Sequence, residues 1–205
     1  MTLLRQDTLN SPLGRIYVVA DDTALCAVDF EGYEDRMMRL LRKRYPHVTL
    51  VDARTPLGAS ERLEAYLQGD LGSLEGLPVN TGGTAFQQQV WQQLKAIAPG
   101  TVWTYGELAQ QLNNPKAVRA VGMANSLNPI SIVLPCHRVV GANRSLTGYA
   151  GGLDRKHWLL TSRRAAFDFC WGLVFWGLAL LALWRQRLRA NRFNPCLLTN
   201  NLFHP

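Results

Sequence analysis

The sequence predicts a small α/β unit over residues 1–80, a mainly α unit over 81–162 and an atypical apolar, basic tail over 163–205. Three observations carry this division. Residues 13–68 show a strand-turn-strand pattern followed by helical spacing, Gly and Pro accumulate from Gly69 to Gly83, and capped helical segments follow. With 205 residues and 47% hydrophobic content, the chain can bury a substantial core as one large domain or two small ones.

The stretches RIYVVA and ALCAVDF read as strands joined by a turn at Asp21-Asp22. Residues 34–45 and 60–68 repeat apolar side chains at helical intervals. The Gly69–Gly83 stretch reads as a linker, with a boundary near residue 80. Beyond it, FQQQVWQQLKAIA (86–98) predicts a helix with Phe86, Val90, Trp91, Leu94 and Ile97 on one side, stopped by Pro99-Gly100. Thr104 and Glu107 form a capping-box pattern, so a short helix should run from Tyr105 to Asn113. Asn114 can cap, and Pro115 can open, a third helix over 115–128. The last two helices, with Lys116 and Arg119 on the second, make a helix-turn-helix candidate. The same pattern equally describes an ordinary three-helix packing unit.

Charge is unevenly placed. Residues 1–80 carry nine Lys/Arg against twelve Asp/Glu, 81–162 seven against two, and 163–205 six against one. A basic middle segment suggests a polyanion partner, because Lys and Arg near phosphates release counterions, and this favours DNA. The four cysteines (Cys26, Cys136, Cys170, Cys196) have neither C-x-x-C nor metal-ligand spacing, so no disulfide framework, metal or cofactor is expected. The N-terminus lacks the apolar run of a secretory segment, and the first 162 residues read as cytoplasmic and reduced.

The run ISIVLPCHRVV (130–140) sets Cys136, His137 and Arg138 in an otherwise hydrophobic, strand-like segment. A lone cysteine is ordinarily a small buried hydrophobe. Adjacent strand residues point to opposite faces, so His137 does not by itself activate it. Pro135 changes the balance by interrupting the strand and allowing a bend at which a thiol is presented.

Leu134-Pro135-Cys136-His137-Arg138-Val139-Val140 resembles the active-site signature of the O6-alkylguanine-DNA alkyltransferases, the methylated-DNA–protein-cysteine methyltransferases. TYGELA (104–109), NPKAVRAVG (114–122), Asn128-Pro129 and TGYAGGLDRKHWLL (147–160) agree in order, and SPLG (11–14), LEAYLQG (63–69) and TGGTAFQQQVW (81–91) resemble the bacterial constitutive form. The resemblance covers roughly residues 10–160. It implies an α/β ribonuclease-H-like N-terminal domain and a mainly α, winged helix-turn-helix-like C-terminal domain that enters the minor groove of alkylated duplex DNA, acting as a monomer. It implies that Cys136 accepts the alkyl group, His137 withdraws its proton through water, Tyr105 assists departure of guanine and Asn128 supports the active-site bend. Arg119 would enter the duplex as the nucleotide leaves. Val139, Tyr149 and Ala150 would line the lesion pocket, and Lys156 is counted with these DNA- and lesion-binding positions.

The implied chemistry is irreversible transfer from O6-alkylguanine, with O4-alkylthymine as a second substrate, one turnover per molecule. The lesion must be rotated out of the stack for a few kcal/mol. A thiol of pKa ~8.5 is only about 3% thiolate at neutral pH, so full ionisation contributes about 30-fold. Alignment, with effective molarities above ~10⁵ M, must contribute more.

One departure stands out. The family continues after Trp158-Leu159-Leu160 with a His-Glu-Gly segment whose glutamate holds the histidine, and Arg163 stands at that position here. A cation beside His137 opposes imidazolium formation, which leaves a transfer-impaired lesion-binding protein as the alternative reading. The tail then runs apolar from Phe167 to Trp184, broken by Asp168, and is followed by RQRLRANRFNPC. Its charge-free part would span about 24 Å as a helix, short of the ~30 Å of a bilayer core. A marginal membrane anchor, an interfacial or partner-binding helix and a non-native, frameshift-like continuation all fit. The abrupt end of the resemblance favours the last.

Overall fold

The computed structural model describes residues 1–54 and 56–161, all within one compact unit. The readings made above for Arg163 and for the tail lie outside the described residues.

The chain opens with a strand that alternation does not reveal, β1 (Thr2–Ser11). Only Leu4 and Leu9 are buried in it, five residues apart, and they serve opposite faces of the sheet. A two-residue turn at Pro12-Leu13 returns the chain into β2 (Gly14–Ala20), with Gly14 at φ +87° and Ser11 Oγ donating to its carbonyl at 2.7 Å. The expected Asp21 turn follows. Asp21 Oδ1 accepts from Thr23 N at 2.7 Å and Ala24 N at 2.8 Å, and leads into β3 (Leu25–Phe30). Helix α1 (Glu34–Arg42), shorter than the predicted 34–45, crosses over to β4 (Val48–Asp52), which pairs parallel with β1. Sequence patterning misses β4 because none of its residues is buried.

The sheet order is β3-β2-β1-β4. One face packs Leu4, Val19 and Cys26 against Met37 and Leu41 of α1. The other turns Ile16, Val18 and Phe30 into the main core, shared with Leu63 and Tyr66 of α2 (Ala59–Gln68) and with the second half of the chain.

That half begins at α3 (Ala85–Leu94), started by a Thr84–Gln87 capping box and ended earlier than predicted in tight turns up to Ile97. After β5 (Trp103–Thr104), α4 (Tyr105–Gln111) starts at the expected Thr104–Glu107 box, with Glu107 Oε2 accepting from Thr104 N at 2.5 Å. A 3₁₀ turn at Pro115–Ala117 precedes α5 (Val118–Ser126), and the Asn114 side chain makes no capping bond. Helix α5 packs on α3 and α4, and Trp91 Nε1 donates to Ala124 O at 2.8 Å.

The segment 130–140 is not the strand its apolar run suggested. Only its ends pair: Ile130 bridges Val28, and β6 (Val139–Val140) lies parallel to β5. Between them Ile132 takes φ +71° and Pro135 has no N–H to give a ladder. Nor is the Gly69–Gly83 stretch a free linker, because Leu25 N donates to Pro78 O at 2.9 Å and Asn80 N to Leu25 O at 2.7 Å. Residues 153–161 form the last described helix, α6. Among the described residues, no helix is long and apolar enough to cross a membrane.

Candidate active site

Cys136 opens a 3₁₀ turn (Cys136–Arg138) and is 4% exposed. The turn is delivered by a loop that runs off the edge of β3. Val28 N donates to Pro129 O, and Ser131 N donates back to Val28 O, both at 3.0 Å. A β-branched residue at positive φ, such as Ile132, costs on the order of 1–3 kcal/mol and persists only where its surroundings over-determine it. Here Leu134 N to Ile130 O, at 3.1 Å, and Cys136 N to Leu134 O, at 2.7 Å, close the bend around it.

Asn128 organises that bend. Its Oδ1 accepts from Ile130 N at 3.0 Å, while Nδ2 donates to Leu134 O at 2.8 Å and to Cys136 Sγ at 3.0 Å. Asn125 Nδ2 adds a 3.4 Å bond to Cys136 O. Burial pushes the Cys136 thiol pKa up. The Asn128 bond and the charges of Arg36 and Lys156 oppose this, and Asp29 reinforces it. The resting group at neutral pH is therefore the thiol. His137 is fully buried on the same turn.

Tyr105, the first residue of α4, is half-buried with its hydroxyl donating to Gly148 O at 3.5 Å. Its pKa is raised, first by burial and further by charge on Cys136, while bonding to Asn125 and Thr147 opposes the rise. Tyr149 stands edge-on to Phe30, and its pKa is held well above the usual range by burial, with Cys136 and Asp29 adding to the effect. Val139 is buried on β6 and Ala150 half-buried beside Tyr149. Arg119 is exposed on α5, outside this buried group.

Lys156 sits differently from the other DNA- and lesion-binding candidates. Counted with the DNA- and lesion-binding positions, it is fully buried, with Nζ donating to Val139 O at 2.6 Å and Thr147 O at 2.7 Å. Burial lowers its pKa to about 8. Its ammonium is committed to backbone carbonyls and has no surface to offer a phosphate.

Residue patterns missed the ion pair behind the site. Asp29 of β3, 1% exposed, meets Arg36 of α1 at 2.5 Å, and the second guanidinium nitrogen donates to Ser126 O at 2.8 Å and Asn128 O at 2.9 Å. The sequence signal was a carboxylate inside the apolar strand ALCAVDF, which requires a cation. Arg138 likewise donates to Ile97 O at 2.5 Å and to Tyr66 Oη at 2.9 Å, locking the turn to the chain just after α3 and to α2. Among the described residues no group of His, Cys, Asp or Glu could hold a metal ion.

The arrangement is a buried thiol held by an amide donor, with a histidine on the same turn and two tyrosines near enough to feel charge on the sulfur. Residues 4–81 match the 6-O-methylguanine DNA methyltransferase ribonuclease-like domain, and residues 85–164 match its DNA binding domain. A methylated-DNA–protein-cysteine methyltransferase of Salmonella typhimurium is 50% identical over 163 residues, covering 78% of this chain and 95% of the relative. One from Methanosarcina acetivorans is 45% identical over 150 residues, covering 73% and 92%. The crystal structure of Mycobacterium tuberculosis OGT in complex with DNA superposes with a TM-score of 0.66 at 36% identity, covering 78% of this chain and 93% of that one. The chain thus has a ribonuclease-like N-terminal part and a DNA-binding C-terminal part, and it belongs to the 6-O-methylguanine DNA methyltransferase family.

Proposed function

We propose that this protein repairs DNA by transferring the methyl or other small alkyl group of O6-alkylguanine, and of O4-alkylthymine, to Cys136 in a single irreversible turnover. The observation that carries this reading is the 3.0 Å bond from Asn128 Nδ2 to a buried Cys136 Sγ. It fixes the sulfur in one direction, as an in-line displacement demands. His137 takes the thiol proton through water. The thiolate attacks the alkyl carbon, the carbon–oxygen bond breaks toward the base, and Tyr105 supplies a proton so that neutral guanine leaves. The product is a thioether, which water does not reverse.

A thiol buried this deeply cannot reach a stacked base, so the nucleotide is rotated out of the duplex for a few kcal/mol. In this reading α4 and α5 act as the winged helix-turn-helix, Arg119 fills the vacated position, and Val139, Tyr149 and Ala150 line the lesion pocket. Residues 1–80 and 81–162 act as the two domains of a monomer. Purified full-length protein incubated with duplex carrying O6-[methyl-labelled] guanine should yield label on the peptide containing Cys136. Label that stays on DNA bound to folded protein would instead establish lesion binding without transfer, the reading that Arg163 raises.

A further inference from the structure

We infer that an aromatic–cation stack, built from Phe30 and Tyr33 around Arg155, is a positioning device that fixes Tyr149 and so sets how large an alkyl group the site accepts. This rests on the alkyl-transfer reading given above.

The segment carrying Tyr149 and Ala150 is anchored on both sides. At its start Lys156 Nζ holds Thr147 O and also ties it to Val139 O of β6. At its end Arg155 Nη1 donates to Gly151 O at 3.0 Å. The same guanidinium reaches the first half of the chain, with Nε on Leu13 O at 2.8 Å and Nη2 on Glu31 O at 3.3 Å. Its Cζ also lies 4.9 Å from the centre of the Phe30 ring and 5.7 Å from that of Tyr33, within reach of cation–π attraction. Phe30, fully buried at the end of β3, then meets Tyr149 edge to face, with centroids 6.2 Å apart and planes at 61°.

The fit at this joint is close. A Cβ on Gly151 would sit 2.6 Å from the Phe30 ring and 2.8 Å from that of Tyr149, so the loop backbone presses on both rings. The size of Phe30 therefore sets the distance between the sheet and the loop. In the proposed reading Tyr149 lines the lesion pocket that Cys136 serves, and its pKa is raised first by burial and then by charge on that sulfur. A residue of the N-terminal sheet thus determines where Tyr149, a pocket wall in the reading above, stands.

The test compares full-length wild type with Phe30→Leu and Arg155→Met. Second-order transfer rates to Cys136 are measured with duplexes carrying O6-methylguanine and O6-benzylguanine, alongside lesion-duplex binding and thermal melting. Removing the ring edge lets the Tyr149 wall recede. The benzyl-to-methyl rate ratio is expected to rise on the order of tenfold for Phe30→Leu. It should rise by less for Arg155→Met, whose stem still covers the rings, with duplex binding unchanged. A folded variant whose two rates fall by the same factor, or whose ratio stays put, overturns the inference while leaving the transfer reading intact. Wild type that transfers no methyl group overturns both. Should Phe30→Leu fail to fold, the half-exposed Arg155 position carries the test alone.

Discussion

Replacing Arg36 with methionine should destabilise the protein by an amount that depends on pH. The guanidinium is the only ion-pair partner of Asp29 among the described residues, and the two side chains are 12% and 1% exposed. Breaking a buried pair from one side costs about 3–5 kcal/mol, because the remaining charge stays buried without compensation. Loss of the donors to Ser126 O and Asn128 O adds about 1 kcal/mol. The Asp29 pKa is already raised, with burial as the larger cause and Arg36 opposing it, so the substitution raises it further. A carboxyl whose folded pKa exceeds its unfolded value is held as the acid by the folded state. The stability it contributes is present below the unfolded pKa and is lost as pH rises through the folded one. The Arg36→Met penalty should accordingly be small near pH 4 and grow toward pH 8, with a slope of at most about 1.4 kcal/mol per pH unit. Urea unfolding of wild type, Arg36→Met, Asp29→Asn and the double variant across that range measures it, and the double variant should recover most of the loss. A penalty that is flat with pH and unrelieved by Asp29→Asn would refute this account of the pair.

Three further outcomes follow from the same geometry. Cys136→Ala should abolish label transfer while lesion-duplex binding survives, which gel-shift and peptide-labelling assays would separate. Asn128→Ala strands Ile130 N, removes one of the two donors to Leu134 O and frees the sulfur. It should cost about 2–3 kcal/mol in denaturant titration and slow transfer by about a hundredfold, since orientation is lost along with stability. For Lys156, whose folded pKa near 8 lies below that of a free lysine, the unfolded chain binds more protons between the two values. Wild type should therefore gain stability relative to Lys156→Met as pH rises from about 8 toward 10, and a parallel pair of melting curves would contradict the assignment of Lys156 to two buried carbonyls.

What could be read from the sequence was whatever is local. The Thr104–Glu107 box, the Asp21 turn and the Pro135 bend each depend on a few adjacent residues, and each forms. The strands β1 and β4 escaped because their burial comes from partners far along the chain: β1 has two buried leucines of opposite sense, and β4 has no fully buried residue. The site divides the same way. Cys136, His137 and Asn128 lie within nine positions of one another and could be grouped by motif. Asp29 and Arg36 could not, since Arg36 meets the Asn128 carbonyl across 92 residues of sequence. The surroundings of Lys156 were hidden for a related reason. Composition counts a lysine as surface charge, and only the fold reveals two carbonyls converging on it.

The burial that hinders Cys136 also suits it to a reagent used once. An exposed thiolate would react with any small electrophile, and each such event would consume a molecule without repairing anything. At 4% exposure, with its pKa pushed up, the sulfur stays protonated and screened until something displaces the surroundings. The stabilising influences on the thiolate, from Asn128, Arg36 and Lys156, are already in place but are outweighed by desolvation. A base rotated into the pocket alters that balance, because it brings the alkyl carbon to the one direction in which Asn128 has fixed the sulfur. Selectivity then comes from withholding nucleophilicity until the lesion is in position, and the ion pair at Asp29 and Arg36, through the Arg36 bond to Asn128 O, helps hold the residue whose amide directs the sulfur.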